Sequence, residues 1–333
     1  MRAARFLGDG EIRVEQRAIP VPGPSQVLVR VDSCALCGTD RGAYSRGSTV
    51  TPGHEIAGTV IRRGENVLLP QIGARGVVYL VNYCGTCYCC RSAWTNMCLD
   101  KKAMYGFNAD GGYADYVVVE AKCFLPIDDA IPLDAATALL DLYGSSRHAF
   151  ARSGLPSPET VAIVGCGPIG IGAVTVARAL GANEVAAIDV SPYRLELVRS
   201  LGATPIDARN GDPVARALAG APDGYQIVIE AAGMNATQQQ AIEIAAPNGR
   251  VVFVGHNQEP LEVRTLQDLI QVEKVLLGSE YFPVGEFARN HQLLGNGALD
   301  PTPVLTHRFT LDDIGEAFNA FMSGESGKVL VRP

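Results

Sequence analysis

From Thr160 onward the chain changes hydrophobic period twice within thirty residues. Val161–Val164 is an unbroken apolar run, of the length expected for a strand covered on both faces. Gly165-Cys166-Gly167-Pro168-Ile169-Gly170 interrupts it. Ala173–Leu180, rich in good helix formers and closed by Gly181, then predicts a helix. A second apolar run, Val185–Ile188, delivers Asp189 nineteen residues after Gly170. Pro192 to Gly202 reads as an amphipathic helix, with Ser191 as N-cap and Pro192 at its first position. Gln226–Glu230 and Arg250–Val254 are strand-like and are closed by Gly233 and Gly255. Strands alternating with helices in this way predict an α/β unit with a doubly wound parallel sheet. The N-terminal part has a different texture. Glu11–Val14, Val27–Val31 and Glu55–Ile61 are short strand-like runs, broken by Pro20, Pro22, Gly23 and Pro24, and they predict a β-rich unit. Thr310–Phe321 predicts a last helix and Lys328–Val331 a last strand.

The glycine set at the strand-to-helix turn has a chemical reading. Gly165 allows the tight turn, Gly167 lets the backbone approach a pyrophosphate, and Gly170 lets helix pack on strand. Pro168 and Ile169 open the helix, whose N-terminus faces the negative charge. Asp189, at the end of the next strand, is placed to accept hydrogen bonds from an adenosine ribose. A membrane span over Val161–Leu180 is the competing reading, and its interior glycines, a proline and Arg178 argue against it.

At 333 residues, two domains are expected. A net charge of −7 disfavours nucleic acid or an anionic membrane as partner, because both call for basic patches. The N-terminus moves straight into a strand pattern without an apolar h-region, so a cytoplasmic protein is expected. Nine cysteines in so long a chain then suggest metal rather than disulfides.

The strongest metal signal is Cys84, Cys87, Cys90 and Cys98, a C-x2-C-x2-C-x7-C set with Gly85 at a turn. Four thiolates this close in sequence can surround one zinc ion with no open position, which predicts a structural site. A redox C-x-x-C pair or an iron–sulfur cluster accounts less well for four thiols in a loop-like stretch. Cys89 is a fifth thiol, and Cys90 keeps the even spacing. Earlier, Cys34-Ala-Leu-Cys37-Gly38-Thr39-Asp40 and Gly53-His54-Glu55 supply a thiolate, an imidazole and an acid, all suited to zinc, with the Thr39 hydroxyl two residues from Cys37.

Taken in order, Cys37-Gly-Thr-Asp40, Gly53-His-Glu55, the four-cysteine lobe, Gly111-Gly-Tyr-Ala-Asp-Tyr116, the G-x-G-x-x-G turn and Glu325-Ser-Gly-Lys-Val-Leu-Val331 resemble the zinc-dependent medium-chain dehydrogenases over essentially the whole chain. The likeness is to the sorbitol, threonine and glucose dehydrogenase branch. It implies a GroES-like β-rich catalytic domain at residues 1–145 and 287–333, interrupted by a Rossmann NAD-binding domain at 146–286. It implies two zinc ions per chain, one catalytic and one structural, and NAD(H) as cofactor. Cys37 and His54 become ligands of the catalytic zinc. Asp141, in Ala138-Leu-Leu-Asp141-Leu, falls where this branch carries an acidic third ligand, with water or Glu55 as the alternatives.

In the mechanism so implied, zinc lowers the pKa of a bound water from about 15.7 to about 7 and acts similarly on a substrate hydroxyl. Thr39 takes the substrate proton, and Glu55 sits behind the metal. Asp189, Arg194 and Gly255 join the glycine turn in holding the cofactor, and Asp189 should repel a 2′-phosphate, favouring NAD over NADP. The expected substrate is a small-molecule secondary alcohol of a polyol, sugar, cyclitol or amino alcohol, or the matching ketone. A homodimer or homotetramer is expected. Two departures stand out: the interval from Cys37 to His54 is short for the family, and Gly42 replaces a proton-relaying histidine. A dehydrogenase of simple alcohols is the alternative substrate reading, and a zinc-free reductase and a non-catalytic relative that senses nucleotide are the readings from other classes.

Overall fold

The computed structural model describes all 333 residues, Met1–Pro333. They divide into two compact units. One contains Met1–Asp141, Pro283–Gly297 and Pro301–Pro333; the other contains Leu142–Phe282 and Ala298–Asp300.

The first unit opens with a hairpin, β1 (Arg2–Gly8) and β2 (Glu11–Gln16). β3 (Gln26–Ala35) leads through a 3-10 turn, Gly38–Asp40, into the short helix α1 (Arg41–Arg46). β4 (Glu55–Arg63), β5 (Arg75–Val78), β6 (Tyr116–Glu120) and β7 (Phe124–Pro126) follow. The turn at Gly38–Asp40 and the start of β4 matter most, because they place Cys37, Thr39, His54 and Glu55. β3 and β4 are antiparallel neighbours, with Ala35 opposite Glu55 and Cys34 opposite Ile56. The two sequence-distant motifs are therefore brought to one end of one strand pair.

The second unit begins with a π-helical turn at Leu142–Ser145, continuing from Asp141, and α2 (Ser146–Ser153). Its sheet contains β8 (Thr160–Val164), which leads through the glycine turn to α3 (Pro168–Ala179). Then come β9 (Glu184–Asp189), α4 (Pro192–Ser200), β10 (Thr204–Asp207), β11 (Tyr225–Glu230), α5 (Asn235–Ile244), β12 (Ala245–Phe253) and β13 (Val275–Gly278). All neighbouring pairs are parallel, in the order β10-β9-β8-β11-β12-β13. Strand order therefore reverses between β8 and β11, the position where doubly wound sheets bind nucleotides. Ala162, Val164, Ile188, Ile206, Val228 and Val251 belong to one buried cluster of this unit. Burial on both faces explains why these strands read as apolar runs rather than alternating ones. The apolar stretch Val161–Leu180 resolves into a strand, a turn and a twelve-residue helix. No helix is long and apolar enough to cross a membrane.

β14 (Leu305–Thr310), α6 (Ile314–Met322) and β15 (Lys328–Arg332) return to the first unit. Its sheet runs β14-β15-β3-β4-β5-β7, with β6 also paired to β3. Here the structure corrects the reading of Thr310–Phe321 as one helix: Thr310 ends a strand, and the helix starts at Ile314. Parallel pairing of Leu305–Thr310 with β15 overrides the local pattern.

Candidate functional site

Four ligand-bearing side chains of the first unit converge in its interior. Cys37 precedes the 3-10 turn, His54 immediately precedes β4 and Glu55 opens it, and Asp141 ends the unit's first segment. One ligand atom from each lies within 4.8 Å of the other three. Asp141 Oδ2 is 3.1 Å from both Cys37 Sγ and His54 Nε2. All four residues are buried.

Such a set is electrostatically unsatisfied by itself. Burial and the Asp141 charge push the Cys37 thiol up. Burial pushes the His54 imidazole down, yet Asp40, Cys37 and Asp141 together outweigh it and raise it well above its usual range. Burial also works to raise Asp141, but the His54 hydrogen bond and charge, with Lys328 and Cys37, hold it at about 2. The cluster thus draws positive charge toward itself. Sulfur, imidazole nitrogen and carboxylate oxygen are together the donors zinc accepts, so the residues present fit a zinc ion.

Neighbouring groups keep this set in place. Asp40 accepts hydrogen bonds from the Cys37 backbone N–H at 3.0 Å and from the Tyr113 hydroxyl at 2.7 Å. Its other oxygen lies 3.5 Å from His54 Nδ1, an ion-pair separation on the side of the ring away from Asp141. Glu55 Oε1 pairs with the Lys328 ammonium, and both side chains are fully buried. Burial pushes the Glu55 carboxyl up and Lys328 opposes this; the same carboxylate raises Lys328 against its own burial. The Phe107 ring leans on His54, with centroids 4.8 Å apart. Thr39 is exposed on the 3-10 turn.

Sequence reasoning gave no role to Lys328, Asp40 or Phe107. For Lys328 a signal was available. A lysine opening the apolar strand Lys328-Val-Leu-Val331 is buried with it and must find a counter-charge.

The second cluster consists of Cys84, Cys87, Cys90 and Cys98, with sulfurs within 4.8 Å of one another. Cys84 Sγ is 3.9 Å from Cys90 Sγ, and Cys87 Sγ is 4.0 Å from Cys98 Sγ. Sulfurs at tetrahedral corners about 2.3 Å from one zinc ion stand roughly 3.8 Å apart. The observed separations match that figure and exclude disulfides. Backbone N–H groups of Thr86 and Cys87 point at Cys84 Sγ and lower its thiol to about 6, already toward the thiolate. Burial pushes Cys90 the other way, to about 12. Cys90, on the short helix Tyr88–Arg91, is the member that joins the cluster; Cys89 does not.

In the second unit, Gly165 has φ +92°, and a Cβ there would stand 2.7 Å from Ala232. Gly167 caps α3 and has open space before it, and Pro168 occupies the first helical position. Asp189 Oδ2 accepts the Cys166 backbone N–H at 2.6 Å, while Oδ1 accepts those of Val190 and Ser191, both at 2.8 Å. The acid therefore ties the glycine turn to the end of β9. The Arg194 backbone N–H caps onto Ser191 Oγ at 3.3 Å, and its Nε is buried without a hydrogen-bond partner. Across the switch point, Glu230 Oε1 accepts from Ala232 and Gly233, and the Glu230 carbonyl accepts from Gly255 at 3.0 Å. Gly165, Gly167, Pro168, Ile169 and Gly170 thus form one turn, Asp189 fastens it, and Gly255 lies on the far side of β11.

Residues 23–129 match the family model for the alcohol dehydrogenase GroES-like domain, and residues 168–295 match that for a zinc-binding dehydrogenase. An L-threonine 3-dehydrogenase of Bacillus velezensis is 33% identical over 334 residues, covering 95% of this chain and 94% of the relative. The chain belongs to the zinc-dependent medium-chain alcohol dehydrogenase family. Solved structures of other dehydrogenases superpose along its length. A protein described as a short chain alcohol dehydrogenase of E. coli CFT073, in complex with NADH, gives a TM-score of 0.92 at 26% identity, covering 100% of this chain and 99% of that one. A structure assigned as a zinc-binding dehydrogenase of Sinorhizobium meliloti 1021, bound to NADP, gives 0.90 at 32% identity with the same coverage. The dehydrogenase described here accordingly has a GroES-like domain joined to a Rossmann-type α/β domain.

Proposed function

We propose that this family member is an NAD-preferring, zinc-dependent dehydrogenase of secondary alcohols in polyols, sugars, cyclitols or amino alcohols, or a reductase of the matching ketones. The observation that carries the reading is the buried convergence of Cys37, His54 and Asp141, a thiol, an imidazole and a carboxylate around one point. These three would hold the catalytic zinc, with Glu55 behind them, and Cys84, Cys87, Cys90 and Cys98 would hold a structural one. Zinc supplies Lewis acidity that makes an alcohol hydroxyl easier to ionise, and NAD supplies the hydride acceptor.

The chain's own residues do the rest. Asp40 sets the His54 ring, so that Nε2 faces Asp141 and Cys37. Lys328 neutralises Glu55 and keeps a second carboxylate from adding its charge to the ligand set. Thr39 Oγ accepts the proton of the substrate hydroxyl and releases its own outward. With glycine at position 42, no imidazole stands one turn on to take that proton, so water receives it. Gly165, Gly167, Pro168, Ile169 and Gly170 would cradle the pyrophosphate, with Arg194 and Gly255 flanking the dinucleotide and Asp189 meeting the adenosine ribose. A 2′-phosphate would bring negative charge against the Asp189 carboxylate, which favours NAD. L-Threonine, named for one relative, is an amino alcohol of the proposed class.

The test is a panel of polyols, sugars, amino alcohols and simple primary alcohols, each assayed with NAD and with NADP. The proposal expects reduced cofactor to form with hydroxyl-rich substrates and NAD. A tenfold preference for NADP would refute the ribose role of Asp189, at about 1.4 kcal/mol in the wrong direction. Primary alcohols as the best substrates would refute the substrate class.

A further inference from the structure

Thr39, Gly42 and Arg46 fall at positions i, i+3 and i+7 along the 3-10 turn and α1, on one face of this segment. Gly42 brings no side chain to that face, and Arg46 fills the room. A Cβ built on Gly42 would stand 2.7 Å from Arg46 Nη2 and 3.5 Å from its Cζ. Helical side chains lean toward the helix N-terminus, so the guanidinium lies back along the face in the direction of Thr39.

Its neighbour Arg41 is engaged otherwise, with its guanidinium carbon 5.3 Å from the centre of the Phe321 ring. Three other exposed arginines, Arg13, Arg30 and Arg209, are held by carboxylates. Arg46 is exposed, and neither a carboxylate nor a hydrogen-bond acceptor engages its guanidinium. In a chain of net charge −7, an unclaimed cation thus packs over Gly42, on the helix face that also carries the proposed proton acceptor.

A guanidinium stays charged near neutral pH, so Arg46 does not replace the missing imidazole as a proton carrier. What it offers is a planar fork of donors, suited to two oxygens of a carboxylate or phosphate. We propose that Arg46 is a specificity-determining residue that selects secondary alcohols carrying an oxyanion, carboxylate or phosphate, elsewhere on the substrate. The inference rests on the alcohol dehydrogenase reading above and narrows its substrate class. Gly42 takes part by leaving the space through which the guanidinium folds back.

The experiment compares two matched pairs on the full-length, zinc-loaded protein with NAD: butane-2,3-diol against 2,3-dihydroxybutanoate, and galactitol against galactitol 1-phosphate. Wild type should favour the charged member of at least one pair by about tenfold in kcat/KM. The pair that responds identifies carboxylate or phosphate as the oxyanion. Arg46→Gln should raise the ratio of charged to neutral KM in that pair by about tenfold, and Arg46→Lys should recover part of it. Three outcomes overturn the inference while leaving the dehydrogenase reading intact: a wild-type preference for the neutral members, an equal KM change for both members in Arg46→Gln, or a raised KM for NAD in place of a substrate effect. If wild type oxidises none of the four, while also failing the wider panel, the dehydrogenase reading and this inference fall together.

Discussion

Asp141 carries more of the proposed chemistry than any other single side chain. Its Oδ2 is within 3.1 Å of both Cys37 Sγ and His54 Nε2, and opposing influences leave it ionised despite burial. Asp141→Asn keeps the shape and removes the charge. The variant is expected to retain one zinc per chain instead of two and to lose most turnover, with NADH affinity close to that of wild type. Elemental analysis and fluorescence titration check this together. Two zinc ions and normal turnover in the variant would remove Asp141 from the ligand set and make Glu55 the first replacement. Lys328 gives a second test at this scale. Lys328→Met strands the Glu55 carboxylate in the interior, which is expected to cost about 3–5 kcal/mol in a urea titration. Adding Glu55→Gln should recover part of the loss, because both charges are then gone. Cys37 and His54 stand out in the sequence because their residue types sit in short motifs, whereas Asp141 comes only from the likeness to the sorbitol, threonine and glucose dehydrogenase branch. Lys328 acts on Glu55 from 273 positions away, across the intervening strand β3, in an arrangement that no local pattern records.

At the scale of elements, the turn between β8 and α3 has no slack. A methyl group on Gly170 would run into the carbonyl oxygen of Gly165, which itself needs its positive φ. Gly170→Ala is therefore expected to weaken NADH binding by at least about tenfold, equivalent to about 1.4 kcal/mol. Zinc content should not change, because both cysteine-containing clusters belong to the other unit. Fluorescence titration showing wild-type NADH affinity would mean that the turn is not the phosphate cradle. This element was legible because strand, turn, helix and acid are contiguous in sequence. The C-terminal region was less so. Thr310 looks like part of a helix until β15, eighteen residues later, pairs in parallel with Leu305–Thr310. Such pairing is decided by the sheet and not by the segment.

The whole molecule carries two devices: a Rossmann-type unit with the glycine turn suited to a nicotinamide dinucleotide, and a GroES-like unit with two clusters suited to zinc. The division into two units lies within a few residues of Asp141, where the ligand set ends and the second unit begins. The central claim is that alcohol oxidation depends on metal at Cys37, His54 and Asp141. Its most direct test is to strip the protein of metal with a chelator, return zinc stepwise in the presence of NAD and an oxidisable polyol, and follow the near-ultraviolet absorbance of NADH. The account expects no NADH from the stripped protein. The rate should return only as the cluster of Cys37, His54 and Asp141 fills, with Asp141→Asn failing to recover. Full NADH formation without metal, or equal recovery in Asp141→Asn, would contradict it.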